Sequence, residues 1–141
     1  MYTTEPKRTA DKGDILLSVR APVGDINVAI EDCCIGRGLA SLKSKDNCTS
    51  YLLYQLLNLK ASFNIYNGEG TVFGSINKDT LNNMKVLIPL DKHMKEFQFT
   101  VGKLDGIIET NSIQIKTLTT IRDSLLPKLM SGEIRVPLNE V

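Results

Sequence analysis

Cys33, Cys34, Cys48 and the lone His93 are the side chains of the 141-residue chain best suited to metal binding or nucleophilic chemistry. Their spacing matches no zinc-ligand pattern, and a single histidine completes no such set. The first fourteen residues are polar and mixed in charge, unlike a secretory signal or a membrane anchor. We therefore interpret the cysteines as reduced thiols of a cytoplasmic protein, packed as small apolar side chains, and predict no metal site.

The sequence also lacks the common catalytic motifs. It has no G-x-x-x-x-G-K-[ST] loop and no G-x-S-x-G elbow. The glycine pairs at 36–38 and 68–70 do not extend to G-x-G-x-x-G, so no nucleotide-binding loop is indicated. A general-base role for His93 needs a second group in place. We predict a protein that is not an enzyme and binds no cofactor, and keep a small-molecule enzyme with His93 as base as the least favoured hypothesis.

Composition is that of a folded protein, with 42% hydrophobic and 23% charged residues. Its apolar runs are far shorter than the ~20 residues of a membrane-spanning helix. Seventeen basic residues face sixteen acidic ones, for a net charge of +1. Residues 1–90 hold ten basic and nine acidic residues, so counting indicates no basic patch.

The first half of the chain has the alternating pattern of β-strands. Apolar residues alternate through residues 14–30 around the turn residues 21–25, which predicts a hairpin. A third strand is predicted from Cys33 to Leu42, with a bulge or close backbone approach at Gly36-Arg37-Gly38. A last strand, ended by proline, is predicted over residues 85–89.

Helices are predicted between and after these strands. Thr49 or Ser50 caps a helix that runs to Leu59, and Asn77 caps a short turn over 78–83. Residues 64–75 are typical of a loop, with a tight-turn signal at Asn67-Gly68.

From residue 91 the hydrophobic period changes. Ten positions between 94 and 125 step alternately by three and four residues, and eight of them are apolar, the pattern of a coiled-coil seam. A glycine at 102 and another at 106 predict a kink or break, Pro127 a bend in the last turn, and Gly132 the end. A helix this long would project beyond a small domain; the alternative is an ordinary amphipathic helix packed on the domain's own sheet.

These patterns predict an α+β fold: a small, mostly antiparallel sheet with short helices, followed by a long projecting C-terminal helix of coiled-coil type. Three segments are predicted. Residues 1–90 form the sheet-containing domain, 91–131 the helix and 132–141 a tail.

Five segments resemble the specificity subunit of type I restriction–modification systems. The stretches 13–24, 34–39, 70–76 and 86–89 are similar to successive segments of its target recognition domain. Residues 121–134 (IRDSLLPKLMSGEI) are similar to the end of its spacer helix. Their order and spacing, over residues 13–135, carry the resemblance.

The resemblance implies a function and a set of partners. Such subunits read a split DNA target with two recognition domains, whose spacer helices pair antiparallel. They are not catalytic. Methylation subunits dock on them, a motor-nuclease subunit joins the complex, and S-adenosylmethionine, ATP and magnesium are bound by these partners.

The sequence departs from the family pattern, since it has one recognition segment, one helix, and little chain before residue 13. We therefore expect a half-subunit that contains part of one recognition domain. The alternatives are a truncated or silent gene copy, and a helix-mediated protein-interaction module without DNA binding.

DNA contacts are expected from loop-borne cations and from polar or aromatic side chains that reach base edges. The candidates are Arg20, Arg37, Lys43, Lys45, Lys60, Tyr66, Asn67, Thr71, Phe73 and Lys78. The competing interpretation is that most of these lysines are simply solvated, and that the two arginines bind turn carbonyls.

Helix pairing is expected along the seam formed by Val101, Leu104, Ile108, Asn111, Ile115, Leu118, Arg122 and Leu125. The apolar positions would otherwise remain exposed, and Asn111 is a polar residue of the kind that fixes register. The partner would be a second copy of the chain or another specificity half.

Overall fold

The computed structural model describes residues 5–67 and 74–135. The chain divides into two compact units, Met1–Leu104 and Asp105–Val141. Among the described residues, the first unit contains the strands and short helices together with the start of the long helix, and the second contains the rest of that helix.

Five short strands form two antiparallel sheets. Strands β1 (Thr9–Ala10) and β4 (Cys33–Cys34) pair in one sheet. The other sheet has the order β3–β2–β5, with β2 at Ile15–Ser18, β3 at Ile26–Val28 and β5 at Leu39–Leu42. Ile15 pairs with Val28 and Leu17 with Ile26, which confirms the predicted hairpin.

The predicted third strand is in fact two strands. Its first part, β4, pairs with β1, whereas its second part, β5, pairs with β2. The Gly36-Arg37-Gly38 segment between them is a turn that moves the chain from one sheet to the other, and it contains a Leu39 N–H to Gly36 carbonyl hydrogen bond of 3.2 Å. The two glycines, which predicted a bulge or a close backbone approach, therefore lie where the predicted strand is interrupted.

Short helices and a 3₁₀ turn follow the sheets. In chain order they are helix α1 (Thr49–Asn58), helix α2 (Lys60–Asn64), the 3₁₀ turn (Ile65–Asn67) and helix α3 (Lys78–Asn82). The N-cap of α1 is Cys48, not Thr49 or Ser50, and its side chain makes no capping hydrogen bond. Asn77 caps α3 as predicted, because its Oδ1 accepts from the Thr80 N–H at 2.7 Å.

The core lies between the larger sheet and these helices. Alternation along β2 places Ile15 and Leu17 on the inner face, where both are fully buried with Phe63 of α2. The other buried members of the cluster are Val23, Leu56 and Ile76. This cluster joins strand, helix and loop residues between Ile15 and Met84.

The last predicted strand is absent, since residues 84–90 have no regular secondary structure. Leu87 is 87% exposed and Ile88 74% exposed, so their side chains contribute little to the core. The predicted strand does not form because no strand within the described residues pairs with this segment.

Helix α4 (Asp91–Met130) runs for 40 residues without a break at either glycine. Pro127 lies inside it and the helix continues to Met130, two residues before Gly132 at φ +75°. Hydroxyls of Thr110, Ser112, Thr117 and Thr120 donate to carbonyls one turn earlier and are satisfied within the helix. The predicted α+β class and long C-terminal helix are confirmed.

None of the helices in the described ranges has the length and hydropathy that crossing a membrane requires.

Candidate nucleic-acid interface

The two ends of the larger sheet have different charge arrangements. We call one the arginine end (residues 18–25, 36–38 and 74–76) and the other the lysine end (residues 11–14 and 41–43). Strand β2 runs from the lysine end to the arginine end and β5 runs back, because the two strands are antiparallel. The predicted cations are therefore divided between opposite ends.

Backbone contacts bring Arg20 and Arg37 close together at the arginine end. The Val19 N–H donates to the Gly38 carbonyl at 2.8 Å. The chain just after β2, which holds Arg20, therefore lies beside the chain just before β5, which holds Arg37. A β-bridge joins Arg20 to Ser75 on the other side. Both arginines are exposed, and neither guanidinium forms an ion pair within residues 5–67 and 74–135.

Lys60 and Lys78 lie near the same end. The Lys60 Nζ is 3.5 Å from the Asp25 Oδ1, and both side chains are about 60% exposed. Such a pair is weak and open to exchange with another anion. Lys78 is exposed and follows closely after Ile76, whose N–H donates to the Val19 carbonyl at 3.0 Å.

Tyr66 and Asn67 are the polar loop candidates that the structure describes at this end. Tyr66 is half-buried and packs against the core cluster. The Asn67 Oδ1 accepts from the Val23 N–H at 2.5 Å, and its Nδ2 donates to the Val23 carbonyl at 3.3 Å. The Asn67 amide therefore binds the backbone in this structure, and its contact with a base stays a prediction.

Gly74 comes directly against the 3₁₀ turn. A Cβ at this position would overlap the Tyr66 carbonyl oxygen and lie 2.6 Å from the Asn67 Cα, so the close approach requires glycine. The Ala21 N–H donates to the Gly74 carbonyl at 3.1 Å. These contacts hold Asn67 and Gly74 beside the arginine end, whereas Thr71 and Phe73 lie outside the described residues.

The lysine end is an internally neutralised cluster. The Lys43 Nζ is 2.6 Å from the Asp11 Oδ2 and 3.7 Å from the Asp14 Oδ2. The hydrogen bond to Asp11, together with both negative charges, raises the pKa of Lys43. Lys45, two residues further, is exposed. The sequence did not reveal this neutralisation, because the two partners of the ion pair are 32 residues apart.

Asp14 is the buried member of that cluster. Its Oδ2 accepts from the Ser41 hydroxyl at 2.6 Å and from the Asp11 N–H at 2.9 Å. Burial opposes ionisation, but the hydrogen bonds from Ser41 and Asp11 and the charge of Lys43 together lower the pKa of Asp14. Its role is to join β2 to β5 and to the turn before β2.

The remaining reactive residues lie elsewhere. Cys48 is buried, Cys33 is half-buried and Cys34 is exposed. The exposed His93 has its Nδ1 3.4 Å from the Glu96 Oε2. Within the described residues, no three His, Cys, Asp or Glu side chains come together to hold a metal ion.

The predicted seam residues of α4 are mostly exposed. Val101 is half-buried, while Leu104, Ile108, Ile115 and Leu118 are between 56% and 64% exposed. Arg122 pairs with its neighbour Asp123, at 2.6 and 2.8 Å. Asn111 is also exposed, and Leu125 is 41% exposed.

Comparison with known proteins shows which family this chain resembles. Residues 3–117 match the family model of the type I restriction modification DNA specificity domain. The specificity subunit named for the type I restriction enzyme MjaX of Methanocaldococcus jannaschii is 34% identical over 137 residues, which is 96% of this chain and 32% of that protein. The chain thus spans about a third of the length of this relative.

Solved structures of type I restriction–modification proteins also resemble this chain. The HsdS subunit of Thermoanaerobacter tengcongensis is 28% identical with a TM-score of 0.59, over 94% of this chain and 33% of that one. A chain from a structure concerned with complex assembly and conformational transition of a type I restriction–modification system is 31% identical. Its TM-score is 0.56, over 90% of this chain and 33% of that chain. The chain belongs to the family of type I restriction–modification DNA specificity domains.

Proposed function

We propose that this chain is a non-catalytic, cytoplasmic DNA-recognition component of a type I restriction–modification complex, and that its arginine end contacts DNA. The observation that carries the proposal is the pair Arg20 and Arg37, which lie on neighbouring backbone segments at this end of the sheet and are exposed, without an ion pair in the described residues. Membership of the specificity-domain family gives that surface its expected ligand.

The contact with DNA is expected to be of two kinds. Arg20 and Arg37 bind phosphates, with Lys60 and Lys78 as flanking cations, because exposed guanidinium and ammonium groups neutralise the DNA backbone. Direct base recognition would come from polar groups beside them. Lys43 contributes less, because Asp11 and Asp14 already balance its charge.

Helix α4 would supply the second interaction surface. Its exposed apolar seam is suited to pairing with an antiparallel helix, and the proposed partner is a second copy of this chain. Two identical recognition parts would then read a split palindromic target. Pairing with a different specificity half would give a split target with two unlike halves.

The catalytic partners supply the chemistry. We propose that a methylation subunit binds this chain directly and that a restriction subunit joins through the complex. S-adenosylmethionine, ATP and magnesium would be held by those subunits. The likeness to a chain from a type I restriction–modification structure concerned with complex assembly supports these partners.

Co-purification with a tagged methylation subunit encoded in the same operon tests the proposal. We expect a stoichiometric complex that survives gel filtration and selects a split sequence from random duplex DNA. Absence of a complex, with the chain folded and dimeric, would contradict it and favour a gene remnant. A complex whose DNA binding has no sequence preference would favour a helix-mediated interaction module, for which the exposed seam is the supporting observation.

A further inference from the structure

Helix α1 takes its N-terminal cap from another part of the chain. Cys48, at the N-cap position, provides no side-chain hydrogen bond to the first turn. Instead, the Gln98 Oε1 of α4 accepts from the Ser50 N–H at 2.8 Å, and the Gln98 Nε2 donates to the Ser50 Oγ at 3.2 Å. Ser50 is only 5% exposed, so water does not readily replace the amide.

Gly102, one turn further along α4, leaves room for this amide. A Cβ there would lie 2.8 Å from the Gln98 Nε2 and 3.5 Å from the Ser50 Oγ. The first of these distances is too short for a real contact, so any side chain at 102 would displace the amide. The apparent defect in helix propensity at Gly102 is therefore compensated by a specific contact.

Aromatic contacts also join these turns of α1 and α4. The Phe97 ring centroid lies 6.0 Å from that of Tyr51 and 5.9 Å from that of Tyr54, both edge-on. Met94 is 8% exposed. A shift of α4 by one residue would turn the Gln98 side chain by about 100°, away from Ser50, so the hydrogen bonds fit only one register.

We propose that Gln98 and Gly102 are positioning residues that set the distance between the two half-sites of the DNA target. This inference rests on the proposed function, in which α4 pairs with a second helix. Two recognition parts joined by paired helices keep a constant separation only when each helix starts from its recognition part in a fixed register. Within residues 91–104, the Gln98 amide makes a polar contact with Ser50 that distinguishes one register from the next.

The test is selection from duplex DNA in which two sequence arms are separated by spacers of varied length, using the full chain in complex with the methylation subunit. The native chain should select one spacer length. The similarly shaped Gln98→Met removes both hydrogen bonds to Ser50 and should spread selection over neighbouring lengths. The preference for the best spacer should fall roughly five- to a hundredfold, the range for two lost hydrogen bonds. Gln98→Glu should restore the single length, because a carboxylate accepts from both the Ser50 N–H and hydroxyl.

Gly102→Ala separates positioning from stability. Alanine favours a helix more than glycine does, yet its Cβ displaces the Gln98 amide, so we expect a broadened spacer with little loss in thermal stability. Lys95→Met, an exposed change on the same helix, is the matched control and should leave the spacer unchanged.

The outcomes are distinct. A native complex that selects no split sequence overturns the proposed function and this inference with it. A native complex with one spacer length, kept by both Gln98→Met and Gly102→Ala, overturns this inference alone. Broadening in Gln98→Met but not in Gly102→Ala also overturns it, since the effect would then follow helix stability.

Discussion

The two ends of the larger sheet differ in how their main cations are paired. At the lysine end, Lys43 is bound to Asp11 and approached by Asp14, and the cluster joins neighbouring strands. At the arginine end, Arg20 and Arg37 are exposed and have no acidic partner within the described residues. The difference shows why the net charge of +1 is a poor guide to this protein, because pairing decides which cations are available to a ligand.

Asp14→Ala is the strongest test of the structural role assigned to the lysine end. The change removes a buried acceptor of two hydrogen bonds, so we expect the free energy of unfolding to fall by about 2 kcal/mol. Chemical denaturation followed by circular dichroism measures it. Asp46→Ala, at an exposed position, is the control, and an equal loss in both variants would contradict a specific role for Asp14.

Asn67→Ala tests whether the arginine end also contains residues with a purely structural role. Loss of the Asn67 amide leaves the N–H of buried Val23 without its partner, so unfolding should become easier by about 1–2 kcal/mol. The salt dependence of DNA binding should not change. Asn82→Ala, an exposed change in α3, is the control. A lower salt dependence in Asn67→Ala alone would instead assign Asn67 to the DNA contact.

The pH dependence of stability tests whether the ionised form of Asp14 stabilises the fold. Its pKa in the folded chain is lowered below the ordinary value of 3.8, so its ionised form stabilises the fold above that pH. The contribution is lost as the pH falls through the lower folded-state pKa. The difference in unfolding free energy between the native chain and Asp14→Ala should therefore be constant from pH 7 to 5 and narrow below 3.8. A difference that narrows near neutral pH would contradict this.

Lys43→Met should have the smallest effect. The Lys43 side chain is 59% exposed, and an exposed ion pair contributes little to stability. Thermal unfolding should place this variant much closer to the native chain than to Asp14→Ala. An equal loss would mean that the lysine, not the buried carboxylate, holds the lysine end together.

Local sequence patterns predicted the elements that depend mainly on residues close together in the chain. Alternation gave the hairpin around residues 21–25, Asn77 marked its helix start, and the three-four spacing indicated α4 from its first turn. The strand predicted at 85–89 does not form, because a strand also requires a neighbour, which no local pattern reveals.

The features that define the site depend on contacts between distant parts of the chain. Lys43 meets Asp11 across 32 residues, Asn67 meets Val23 across 44, and Gln98 meets Ser50 across 48. From the sequence, none of these six residues stands out from its neighbours. Only the fold shows that Lys43 is neutralised, that the Asn67 amide binds backbone, and that Arg20 and Arg37 are adjacent.

The most direct test of the DNA-binding claim compares two double variants with equal loss of charge. The affinity of the complex with the methylation subunit for its selected DNA is measured between 50 and 200 mM salt for Arg20→Ala/Arg37→Ala and for Lys43→Ala/Lys45→Ala. Each phosphate contact contributes about 0.9 to the slope of log affinity against log salt, so the arginine variant should lose about 1.8 from that slope. The lysine variant should keep the native slope. Equal losses in the two variants, or a larger loss in the lysine variant, would contradict the assignment of the arginine end to DNA.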